Sequence, residues 1–157
     1  MPRQALGAEL HAGGGAGVVG VGFDLVDIRR IQRSIDRFGE RFLSRIYTER
    51  ERALCDARRA NRIPAYARRW AAKEACAKAL GTGYALGVAA RQIELDRGEA
   101  GPPFLRLYGG AAARLAALTP ERCAARLHVT MSDEPPYAAA VVVIDLRRLD
   151  GAAAAAE

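Results

Sequence analysis

Asp24, Glu74 and Lys78 are the residues of this 157-residue sequence whose types and settings could act on a phosphate. Glu74 and Lys78 are four positions apart, which on a helix puts them one turn apart on the same face. They sit in an alanine-rich run, Arg69-Trp70-Ala71-Ala72-Lys73-Glu74-Ala75-Cys76-Ala77-Lys78-Ala79-Leu80, closed by Gly81-Thr82-Gly83. The plain reading of such a pair is a surface ion pair worth about 0.3–0.5 kcal/mol. The chemical reading adds the glycine turn, whose bare backbone can approach a phosphate closely. Mg²⁺ prefers one or two carboxylates and fills its octahedron with water and phosphate oxygens. Asp24 and Glu74 could together hold one such ion, with Lys78 neutralising charge on the same phosphates. Fifty residues separate the two acids, so spacing does not show that they meet. Lys73 and Lys78 are the only lysines among 24 basic residues, a hint that a compact ammonium rather than a planar guanidinium is needed there.

The elements that must position these groups follow from local pattern. Val18 to Leu25 reads as a strand with Val19, Val21 and Phe23 on one face and Gly20, Gly22 and Asp24 on the other. That second face is nearly bare and predicts open space beside the Asp24 carboxylate. A helix begins at Asp27, with Ile28, Ile31, Ile35, Phe38 and Phe42 on one side and Arg30, Arg33, Arg37 and Arg41 on the other; Gly39 is placed to interrupt it. Thr48 to Arg59 reads as another, with Thr48 and Glu51 matching a capping box. Pro64 introduces the helix Ala65 to Leu80. Ile93 to Asp96 and Phe104 to Leu107 read as strands, Gly109 to Leu118 as a short helix, and Leu127 to Ser132 with Tyr137 to Leu146 as a hairpin. His128, Thr130 and Ser132 alternate onto one face of that hairpin, as a solvated edge also would. Strands and helices mix without regular alternation, which predicts an α+β fold in one domain.

Charge is concentrated. Between Arg29 and Arg69 stand thirteen arginines and five acids, a local net of +8 in a chain of +6. One segment therefore carries the basicity and calls for an acidic partner: nucleic acid, a phosphate-bearing cofactor or an acidic protein. Three scattered cysteines, Cys55, Cys76 and Cys123, lack metal-ligand spacing and read as free thiols in a reducing cytoplasm. No run of about 18 apolar residues predicts a membrane span. Residues 1–16 read as a flexible Ala- and Gly-rich extension in which His11 has no assigned role, 17–149 as the folded domain, and 150–157 as an Ala-rich tail.

Taken in order, the segments resemble a known family. Val19-Gly20-Val21-Gly22-Phe23-Asp24-Leu25-Val26-Asp27, Arg41-Phe42-Leu43-Ser44-Arg45-Ile46-Tyr47-Thr48, Arg69 through Gly83, His128-Val129-Thr130-Met131-Ser132 and Tyr137 to Ile144 are similar to the successive motifs of the small phosphopantetheinyl transferases of the holo-acyl-carrier-protein synthase type. The likeness runs from about Val18 to Asp145. It implies the family's α+β fold, a small antiparallel sheet packed with a long signature helix. It also implies Mg²⁺-dependent transfer of 4′-phosphopantetheine from coenzyme A to a serine of an acidic acyl carrier protein, with release of 3′,5′-ADP, by a cytoplasmic enzyme of fatty-acid metabolism. By motif position, Asp24 and Glu74 would hold the metal and Lys78 would contact the CoA phosphates and assist transfer. Arg69, Lys73, Gly81, Thr82 and Gly83 would lie near the nucleotide or its phosphates. His128 would lie near the nucleotide end and is a candidate for catalysis. Arg30, Arg41 and Arg45 would meet the carrier protein, and short members form homotrimers with sites between subunits. One departure stands out: where the family often has a second His after the hairpin Ser, this sequence has Asp133.

Two rivals belong to other classes. A nucleic-acid-binding domain would account for the basic segment but not for the clustered lysines or the acid-bearing strand, and no nucleic-acid motif is present, so no nucleic-acid partner is expected. An inactive CoA-binding or scaffold homologue would keep the motifs without the chemistry.

Overall fold

The computed structural model describes residues 16–97 and 101–149. Of the expected extension over 1–16, residues 1–15 lie outside the described residues, as does the expected tail over 150–157. Three long strands form an antiparallel sheet in the order β1 (Gly17–Asp27), β5 (Tyr137–Arg148), β4 (Cys123–Glu134). A separate hairpin pairs β2 (Ile93–Arg97) with β3 (Pro103–Leu107). The helices are α1 (Ile28–Phe38), α2 (Glu40–Ile46), α3 (Glu49–Asp56), α4 (Arg62–Ala79) and α5 (Gly109–Leu118). The α+β expectation is met.

The organising element is α4. Ala65, Ala67, Ala71, Ala72, Ala75, Ala77 and Ala79 are buried all round it, as expected of a helix at the centre of a fold rather than on its surface. Small side chains let β1, β5, β4, α1 and α3 all approach its axis, while Tyr47, Tyr66, Ile93, Leu95, Val142 and Ile144 fill the space between. Pro64 lies in the first turn, where its missing N–H costs nothing.

Local signals are realised closely. Asp27 caps α1 by accepting from the Arg29 N–H. Gly39, at φ 52° and ψ −129°, separates α1 from α2 where a continuous helix would otherwise run. Thr48 and Glu51 form the capping box of α3. Two expectations are corrected. A register shift between Val18 and Gly20 turns Val19 to the core, while Val21 and Phe23 remain 62% and 55% exposed on the outer face of the sheet. And the bare face of β1 is not open space, because the backbone of α4 lies directly against it.

Candidate active site

A Cβ at Gly20 would overlap the carbonyl oxygen of Ala79, and one at Gly22 that of Ala75. Side chains of zero size on one face of β1 are therefore what lets the strand lie on α4, running the opposite way. Asp24 is the next residue of that row and arrives beside Glu74 and Lys78. The Lys78 Nζ donates to Asp24 Oδ1 at 2.8 Å and to the Phe23 carbonyl at 2.9 Å. Glu74 is half-buried. Burial, and then the neighbouring Asp24 charge, raise its proton affinity above the usual carboxylate value, with Lys78 and Arg30 opposing. Two carboxylates and one ammonium thus share a partly open corner. Among the described residues no three acidic, histidine or cysteine side chains cluster into an all-protein metal cage. The Asp24–Glu74 pair, like-charged and oxygen-only, fits instead a hard cation that takes its remaining ligands from water and phosphate.

Lys78 also abuts the end of α4. There Gly81 and Gly83 adopt φ of 75° and 56°, conformations that only glycine takes readily, and their N–H groups turn back to the carbonyls of Lys78 and Ala77. Arg114 of α5 caps the same end by donating from Nε to the Leu80 carbonyl at 2.9 Å, a contact with no signal in the sequence.

Arg69 opens onto a second feature, a cavity of about 340 Å³ lined by Arg58, Arg68, Arg69, Arg97, Asp96 and Asp133, among others. Arg69 is 7% exposed; its Nη1 donates to the Ala65 carbonyl at 3.3 Å, while its buried Nε has no hydrogen-bond partner. Sequence reasoning found Arg69 but not the arginines around it: Arg58 and Arg68 were signalled only by the density of the basic segment, and Arg97, outside that segment, by nothing.

Lys73 leaves the set of ligand-binding candidates. It is fully buried, its Nζ 2.7 Å from Glu51 Oε2, and it also donates to the carbonyls of Ala90 and Ile93. Glu51 in turn accepts from the N–H groups of Thr48 and Leu95. The ammonium is therefore consumed in tying α4 to α3 and β2, and no surface of it is left for a nucleotide.

His128 is likewise not assembled with the acids in one chain. It stands opposite Val143, which pairs with Val21, whereas Asp24 pairs with Ala140 in the alternate row. The imidazole thus projects from the outer face of the sheet and Asp24 from the inner one. On that outer face His128 Nε2 lies 3.1 Å from Asp145 Oδ1. Asp145 also accepts from Arg126 Nε and Nη2, and these hydrogen bonds lower its pKa to about 2.

Of the basic residues expected to meet a partner, Arg41 and Arg45 flank a groove of about 470 Å³ floored by Phe38, Phe42 and Ile46. Phe42 is held by stacking on Trp70, ring centroids 5.9 Å apart. Arg30 is exposed on α1 and stands close enough to Glu74 to affect its titration, so it borders the acidic corner as well.

A family model described as the 4′-phosphopantetheinyl transferase superfamily matches residues 20–142. Over 131 residues the chain is 61% identical to the holo-[acyl-carrier-protein] synthase of Methylobacterium sp. (strain 4-46), an alignment covering 83% of this chain and 96% of that protein. The crystal structure of the holo-[acyl-carrier-protein] synthase from Neisseria meningitidis is similar with a TM-score of 0.69 at 34% identity, covering 82% of this chain and 98% of that one. The Helicobacter pylori synthase in complex with coenzyme A gives a TM-score of 0.66 at 27% identity, over 79% and 98% of the two chains.

Proposed function

The chain belongs to the 4′-phosphopantetheinyl transferase superfamily, and from that premise we infer that it acts as a holo-[acyl-carrier-protein] synthase, moving 4′-phosphopantetheine from coenzyme A to a serine of an acyl carrier protein. The observation that carries the reading is the meeting of Asp24, Glu74 and Lys78 where β1 lies on α4. The serine oxygen forms a bond to the β-phosphorus of CoA, the bond to the bridging oxygen breaks, and 3′,5′-ADP leaves. Such transfers depend mainly on positioning and on neutralising phosphate charge.

Asp24 and Glu74 are the residues that would hold Mg²⁺, which when bound supplies Lewis-acid polarisation of the phosphate oxygens. Lys78 then places a point charge on the same phosphates. Glu74, a carboxylate whose proton affinity burial and then Asp24 raise, is the group we assign to orient the serine proton. The glycine turn and Arg69 are the groups we assign to the nucleotide or its phosphates.

An acidic carrier protein suits the Arg41–Arg45 groove, where cations flank an aromatic floor. A homotrimer is supported by Val21, Phe23 and Leu25, each more than half exposed in one outer stripe of the sheet. A role for His128 at the nucleotide requires such an assembly, in which one copy presents its outer face to the site of the next. The buried thiols of Cys55 and Cys76 support a cytoplasmic setting, and among the described residues no helix is long and apolar enough to cross a membrane.

The test is mass spectrometry of an apo-carrier protein incubated with CoA, Mg²⁺ and this protein. A phosphopantetheine mass gain on the carrier serine is expected. CoA binding without any gain would favour the inactive homologue.

A further inference from the structure

Arg68 of α4 and Asp133 of β4 are 65 residues apart in sequence and form an ion pair, Arg68 Nη1 donating to Asp133 Oδ1. Their side chains are only 19% and 24% exposed, and both line the arginine cavity. Four guanidinium groups border this space. Of its two carboxylates, Asp96 is already engaged: its Oδ1 accepts from the Arg97 N–H at 2.8 Å, and its Oδ2 lies 3.0 Å from Arg50 Nε and 3.3 Å from Arg106 Nη1. Asp133 is therefore the carboxylate that holds a cavity arginine in place from outside α4. The remaining surplus of positive charge, to which Arg58, Arg69 and Arg97 contribute, suits a dianionic phosphate monoester, a group that CoA carries on its ribose.

A guanidinium among three others is driven outward by like charge and by the rotamer freedom of its side chain. An ion pair to a strand that is itself fixed by twelve register positions against β5 opposes both effects. We propose that Asp133 is a positioning residue for CoA: it fixes Arg68 in the wall of the cavity that receives the phosphate monoester, without touching the substrate itself. This rests on the transfer reading above, and it gives a physical role to the position at which the sequence departs from the second hairpin His.

The experiment is calorimetric binding of 3′,5′-ADP and of 5′-ADP to the wild type and to Asp133→Ala, Asp133→Asn and Arg68→Ala. Asp133→Ala is expected to weaken 3′,5′-ADP by about tenfold, the order usual for losing a residue that orients a binding group, and to leave 5′-ADP nearly unmoved. Asp133→Asn keeps an acceptor oxygen and is expected to lose less; it carries the test should the alanine variant fail to fold. In turnover the loss is expected in the KM for CoA rather than in kcat, and Asp133→Ala added to Arg68→Ala is expected to weaken binding no further. Tighter binding of 3′,5′-ADP by Asp133→Ala would show that Asp133 merely offsets charge, and an equal loss for both nucleotides would show a structural role only; either overturns the proposal. Failure of the wild type to bind 3′,5′-ADP at all would instead overturn the transfer reading, and the proposal with it.

Discussion

Gly22 of β1 and Ala75 of α4 are in backbone contact: a Cβ at Gly22 would overlap the Ala75 carbonyl oxygen and stand 2.8 Å from the Ala79 amide nitrogen. Helix and strand meet here with no side chain between them. Asp24 is two residues further along the same row, so the distance between strand and helix at Gly22 sets the distance between Asp24 and Lys78.

Gly22→Ala is accordingly expected to cost about 3 kcal/mol of stability, the upper part of the range for overpacking, because the obstructing atoms are backbone. Whatever folded protein remains should bind Mg²⁺ more weakly, since β1 must lift from α4. Thermal unfolding with metal titration checks both, and an alanine variant with unchanged stability would contradict the packing described here.

Asp24→Asn and Glu74→Gln are expected to lower turnover by about 100-fold or more while the chain stays folded, as removal of an anionic ligand should. Either variant running near the wild-type rate at limiting Mg²⁺ would remove that residue from the metal pair. Full transfer in excess chelator would remove the metal.

Glu74 also makes a stability prediction. Its folded pKa is raised above the ordinary 4.5 by burial first and Asp24 second. Between those two values the folded chain holds more protons than the unfolded one, so stability falls as pH rises through that window. Without metal, Glu74→Gln should therefore be more stable than the wild type at pH 7. The difference should shrink as pH falls through the window. Denaturant titrations at pH 4 and pH 7 read this directly, and a destabilised Gln variant at pH 7 would refute it.

Lys73→Met leaves the Glu51 carboxylate buried without its cation and is expected to cost about 3–5 kcal/mol. The double variant with Glu51→Gln should recover much of that loss, since no uncompensated charge remains. A stable Lys73→Met with a raised CoA KM would return Lys73 to the nucleotide site.

Arg41→Glu and Arg45→Glu should each raise the carrier KM by about tenfold while shifting that for CoA little, and wild-type association should weaken as salt is added. Arg30→Glu is a less clean probe, because it puts a second acid beside Glu74. Equal shifts in both KM values for the Arg41 or Arg45 variants would place the groove at the nucleotide instead.

What the sequence determined by itself is what depends on neighbours a few residues away. The capping box at Thr48 and Glu51, the break at Gly39, the glycine turn after α4 and the one-turn spacing of Glu74 and Lys78 are all set by local hydrogen bonding and helical period. The order of motifs carried the family in the same way. Even the fate of Lys73 was partly legible: five residues turn a helix to about 140° from the starting direction, so Lys73 and Lys78 cannot share a face. The tertiary structure decided what depends on which faces meet. Gly20 and Gly22 read as empty space until the backbone of α4 filled it, because a missing side chain looks the same whether solvent or a helix lies beside it. His128 could be placed on a polar face, but only the register of three strands put that face opposite Asp24. Arg68 carried no signal of its own and Asp133 stood out only as a departure from a motif; nothing joined the two until β4 was laid beside α4. Sequence distance carries no information about such pairs, since the free energy that joins them comes from burying the residues between them.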